Sequence, residues 1–105
     1  MRVSRDEVPV KDRVDAALDD IDRARARVMR VPECSARSVR LAELAEIEAA
    51  WWSVLFEHAC VRVQWRAALA AGEFARQTAR TWRRRAEAQR ACEPVAPRAL
   101  GAVAA

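Results

Sequence analysis

Residues 39–71 read VRLAELAEIEAAWWSVLFEHACVRVQWRAALAA. No proline or glycine falls inside this stretch, and alanine, leucine, arginine and glutamate, all good helix formers, supply much of it. Apolar residues recur at alternating intervals of three and four along Leu44, Ile47, Trp51, Val54, His58, Val61, Trp65 and Ala68, a row interrupted only by the histidine. That spacing keeps every member on one side of an α-helix. A second row, Ala45, Ala49, Trp52, Phe56, Ala59, Val63, Ala67 and Ala70, lies more than 100° around the same helix. Two narrow polar strips separate the rows. The expectation is one long central helix over 39–71, about 50 Å at ~1.5 Å per residue, with grease on two flanks that both need covering.

The flanking segments are shorter helices by the same criteria. Pro9 suits a first helical turn, and Val10, Val14, Ala17, Leu18, Ile21, Ala24 and Val28 form one apolar stripe over about 9–30. Asp12, Asp15, Asp19, Asp20 and Asp22 fill the first half of that helix; Arg23, Arg25, Arg27 and Arg30 fill the second. This order opposes the helix dipole favourably at both ends, so a solvated, self-stabilising face accounts for the charge. Pro32 disfavours helix at the residue before it, and Ser35 or Ser38 can cap the next one. Gly72 reads as a C-cap and turn, although a helix running through it would lose only about 1 kcal/mol. A third helix follows over 73–92, with Phe74, Ala75, Thr78, Ala79, Trp82 and Ala86 as its apolar face and Arg85 snorkelling out of it. Residues 1–8 form a charged lead, and the Pro94–Pro97 region opens a flexible tail over 93–105. The expected fold is therefore all-α: a single domain of three antiparallel helices around the long central one.

Charge is unevenly spread. Residues 1–61 carry ten basic and twelve acidic side chains, or −2, whereas residues 62–92 carry eight arginines and two glutamates, or +6. Lys11 is the only lysine among nineteen basic residues. Such a bias toward arginine makes its number uninformative and leaves only its placement as evidence.

Placement singles out Arg76, Arg80, Arg83 and Arg84, which crowd one face of the third helix, where like charges repel and an anion would relieve them. Gln64, Ala68 and Gly72, at four-residue spacing ahead of that helix, resemble a helix-turn-helix over about 20 residues. The resemblance implies DNA recognition by the third helix. Glu73 and Thr78 depart from its usual apolar residues, and the preceding helix is far longer than the motif's.

Chemistry-bearing constellations are scarce. His58 and Cys60, two apart on a helix, point about 200° away from each other and cannot share a metal. Cys34 and Cys92 lack paired metal-ligand spacing; with the third helix ending short of Cys34 by about 20 Å, a disulfide between them is not expected. No paired-carboxylate cleft, phosphate loop or dinucleotide fingerprint occurs, so neither an enzyme nor a cofactor or metal site is expected. Three cysteines, an odd number, fit reduced thiols in a cytoplasmic protein. Residues 1–10 lack the apolar core of a signal peptide. Glu57, His58, Arg62 and Arg66 interrupt the most apolar window, so a membrane span would cost about 2.5–3.5 kcal/mol per buried charge.

What remains is surface. Two short helices cannot shield both flanks of a 50 Å rod, so Trp51, Trp52, Phe56 and Val63 are expected as contact residues for another protein, a second copy of the chain foremost. The expected function is a non-catalytic helical interaction or assembly protein, with a DNA- or RNA-binding regulator using Arg76, Arg80, Arg83 and Arg84 as the alternative.

Overall fold

The structure, a computed structural model, describes residues 8–94. Three helices account for nearly all of it: α1 (Val10–Val28), α2 (Ser35–His58) and α3 (Arg62–Cys92). The all-α antiparallel arrangement expected from periodicity is present, and α2 is the central element because both neighbours pack on it. The Cα atoms of α1 stay more than 8 Å from those of α3. The expected tail over 93–105 and lead over 1–8 fall mostly outside the described residues.

The central segment, however, is not one rod. The chain leaves the helix at Ala59 (ψ 131°) and re-enters after Val61 (φ −106°, ψ 134°). No glycine or proline marks this turn. His58 closes the last turn of α2 by placing Nδ1 2.9 Å from the Val54 carbonyl oxygen, and Phe56 packs across the turn on Trp65 with ring centroids 5.2 Å apart. Conversely, α3 passes through Gly72 without interruption. The helices expected over 39–71 and 73–92 thus become 35–58 and 62–92, and the turn moves from Gly72 to residues 59–61. A turn at Gly72 is also what the helix-turn-helix resemblance required, so that motif is absent.

Pairing explains why the break falls there. The inward row of α2 is Ser38, Ala42, Ala45, Ala49, Trp52 and Phe56; that of α3 is Trp65, Ala68, Gly72, Ala75, Ala79, Trp82, Ala86 and Gln89. Both alternate intervals of three and four, the seam of an antiparallel coiled-coil pair. Ala42, Ala45 and Ala49 on one side and Ala68, Gly72, Ala75, Ala79 and Ala86 on the other are all buried. Residues no larger than alanine let the two backbones approach closely. A straight rod over 35–92 would leave this seam in water. Folding back sacrifices a few backbone hydrogen bonds, each about 1 kcal/mol net, and buries the seam along its length.

Polar contacts pin the register. Ser35 donates its backbone N–H (2.8 Å) and hydroxyl (2.7 Å) to Glu93. Buried Ser38 donates to Gln89 Oε1 at 2.5 Å. The Cys34 thiol, not a serine, caps α2 by accepting from the Arg37 N–H at 3.4 Å, which is why α2 begins earlier than expected. Arg85 escapes the apolar face as anticipated, lying 5.4 Å over the Trp82 ring and pairing with Glu33 at 2.9 Å.

On the other side, α1 buries Val14 and Ile21 against α2. Antiparallel register is set by Arg25, which bridges to Glu48 at 2.5 Å, and by Arg37, which reaches back to Met29. Glu46 and Glu48 mark the two flanks of α2: two residues apart, they point about 200° from each other, and they bond Arg83 of α3 and Arg25 of α1 respectively. No helix among the described residues is long and apolar enough to cross a membrane.

Candidate functional site

The four residues expected to carry a protein contact occupy unequal positions. Trp52 is half-buried. Its indole N–H donates to Glu48 at 3.2 Å, and its Cβ lies 3.4 Å from where a side chain at Gly72 would begin. Trp51 and Phe56 are half-buried, Phe56 beneath Trp65. Val63 alone stands out, 76% exposed. The rod that would have bared the two tryptophans does not exist, and the hairpin covers much of their surface.

Another aromatic residue is bare instead. Phe74, expected from its spacing on the apolar face of the third helix, is 74% exposed. With Val63, Ala67 and Ala70, all exposed, it forms a row at intervals of four, three and four on the outside of α3. The signal was present in the sequence: carrying the Trp65–Ala68 alternation straight through Gly72 selects Ala75, Ala79, Trp82 and Ala86 as the inner row and leaves Phe74 off it.

The four arginines do converge. Arg76, Arg80, Arg83 and Arg84 line one wall of a groove of about 630 Å³ between α2 and α3, with Glu46 and Ser53 opposite and Ala49, Ala50 and Ala79 lining it between them. The charges are not equivalent. Arg83 makes two bonds to Glu46, at 2.7 and 3.2 Å. That bonding holds the Glu46 carboxyl below the usual carboxylate range and raises Arg83. Arg76 pairs with Glu73 at 2.6 Å. Arg80 contacts only the neutral Gln77 amide, at 2.7 Å, and Arg84 has no ion pair among the described residues. Two cations thus stay uncompensated beside a floor of methyl groups.

Smaller recesses lie on the opposite flank. One of about 420 Å³ is bounded by Asp12, Asp15 and Leu18 of α1, Trp52 and Leu55 of α2, and Gln64 of α3. It exists because α1 and α3 do not meet.

His58 and Cys60 sit exposed at the hairpin tip. Cys34 and Cys92 lie together at the opposite end, because the Ser35–Glu93 contact joins their neighbours. This corrects the separation of about 20 Å expected for them by the helical rise: lengthening α3 past Gly72 carries Cys92 back to the start of α2. Among the described residues no three His, Cys, Asp or Glu side chains are grouped so as to hold a metal ion.

The surface thus carries an apolar stripe on α3, a methyl-floored groove rimmed by arginines, and exposed aspartates on α1. Comparison with protein-family models, with curated proteins and with solved structures finds no match to this chain.

Proposed function

We propose that the chain is a non-catalytic helical assembly protein that associates with a second copy of itself through the outer face of α3. The observation that carries this reading is the exposure of Val63 and Phe74 on a single helical row with only alanines between them. Eleven residues at ~1.5 Å span about 16 Å, a length over which two such helices can pack. Val61, also exposed, adds apolar surface at the hairpin tip. Leaving apolar surface in water forgoes roughly 25 cal/mol per Å².

The test is the mass in solution of a Val63→Glu/Phe74→Glu double variant, by light scattering after size exclusion. A lower mass than the parent's, with unchanged helicity, is expected. An unchanged mass overturns the reading.

The convergence of Arg76, Arg80, Arg83 and Arg84 on one groove supports a second reading, nucleic-acid binding. It is the weaker of the two. Glu46 and Glu73 already neutralise two of the four, and a methyl floor offers nothing to a phosphate backbone. Binding carried by the remaining two would weaken with salt at a logarithmic slope of only about −2, since each phosphate neutralised contributes about −0.9.

A further inference from the structure

We propose that the arginine-rimmed groove between α2 and α3 receives the exposed Asp12–Asp19 row of α1 from a second copy of this chain. The proposal rests on the reading of the chain as self-associating and assigns it a distinct, charge-directed contact.

Three features favour this occupant. The first is complementary charge. Arg80 and Arg84 have no ion pair among the described residues, and neither do Asp12, Asp15 and Asp19, which are exposed on α1; Asp12 and Asp15 border the recess beside Lys11 and Trp52, and the neighbouring Asp20 and Asp22 are engaged by Arg23 and Arg25. The second is spacing. Asp15 and Asp19 lie four residues, about 6 Å, apart, and so do the unpaired Arg80 and Arg84. Two helices lying side by side bring such rows into register. The third is size. Ala16 borders Asp12 and Asp19 and is exposed, so that edge of the row presents only a methyl group. The groove floor is Ala49, Ala50 and Ala79. Small residues on both sides allow a helix to settle deeply enough for the carboxylates to reach the guanidinium groups on the rim.

Nucleic acid and an acidic helix of another protein would satisfy the same cations. The α1 aspartate row is the acidic helical face that the chain itself supplies. The geometry also leaves both partners free at once. The groove uses the Glu46 flank of α2, and α1 packs on the Glu48 flank, about 200° away. One molecule can therefore offer its α1 while its groove is filled, a head-to-tail contact.

The experiment uses two variants of the full chain, Arg80→Asp/Arg84→Asp and Asp15→Arg/Asp19→Arg, followed by sedimentation velocity. Each alone is expected to lose the association step seen in the parent, and an equimolar mixture of the two to regain it. Raising salt from about 0.01 M to about 1 M shortens the screening length from about 30 to about 3 Å and should remove the same step in the parent. Circular dichroism at 222 nm reports folding. Should a reversal unfold the chain, Arg80→Gln/Arg84→Gln replaces it and is expected to weaken association without recovery on mixing. If both reversed variants keep the parent's mass while Val63→Glu/Phe74→Glu loses it, this contact is wrong and the self-association reading stands. A parent that is monomeric at every concentration overturns both. Failure of the mixture to recover overturns the pairing, as does unchanged mass together with loss of oligonucleotide binding in the arginine variant, which would assign the groove to nucleic acid.

Discussion

Replacing Gly72 with alanine separates the two placements of the turn by the sign of a stability change. In the structure Gly72 lies inside α3 with no positive φ. Alanine there recovers the helix propensity that glycine forfeits, about 0.8–1 kcal/mol. The added methyl would sit 3.4 Å from Trp52 Cβ and 3.4 Å from an Arg76 guanidinium nitrogen. The first is an ordinary van der Waals distance, and the second involves the far end of a flexible side chain. No compensating strain arises, and the buried methyl adds a further fraction of the roughly 0.8 kcal/mol expected per buried carbon. The net expectation is a gain of about 1 kcal/mol, or roughly 4–8 °C in melting temperature for a domain of this size. Urea titration followed at 222 nm, at a protein concentration where parent and variant have equal mass, measures it; the midpoint should rise with an unchanged slope. Were Gly72 instead the left-handed cap that its position after an apolar run suggests, alanine would destabilise by about 1 kcal/mol. A loss of that size would refute the continuous α3. Gly72→Leu provides the converse: overpacking a seam this close should cost about 1–3 kcal/mol.

Other consequences follow from the same hairpin. A short bis-maleimide should join Cys34 to Cys92 within one molecule and never reach Cys60 from either, because the length of α2, 24 residues or about 36 Å, intervenes; an intramolecular adduct containing Cys60 would contradict the pairing. The Glu93 carboxyl is held below the usual carboxylate range, first by the Ser35 hydroxyl and then by the Ser35 N–H. A depressed folded-state value means that this clasp contributes fully above the ordinary carboxylate pKa and is lost as pH falls through the lowered one. The Ser35 amide resonance should therefore titrate below the usual glutamate range and become pH-independent there in Glu93→Gln; an unshifted midpoint would contradict it.

The exposed stripe and the groove differ in how far they could be read in advance. The arginine cluster was legible residue by residue, since four charges on one helical face are a matter of spacing alone. Its floor was not, because Ala49 and Ala50 belong to another helix and reach the groove only through the antiparallel pairing. Val63, expected as a contact residue on a rod that does not form, is exposed on the outside of α3. Trp52 looked like an anchor because its size and row suggested exposure; the contact with Glu48 and the close approach at Gly72 leave it half-buried instead.

Periodicity by itself established that the chain is helical, where α1 lies, that the middle of the chain carries apolar rows needing cover, and where the charges gather. These are local properties: they depend on side-chain chemistry repeated at helical intervals, and no distant residue can change them. The turn at 59–61, the passage of α3 through Gly72 and the meeting of Cys34's neighbours with those of Cys92 were decided only in three dimensions. At none of these places does a local conformational preference exceed about 1 kcal/mol. The burial of a long alanine seam between α2 and α3 outweighs such preferences, and it exists only once the chain has folded back on itself.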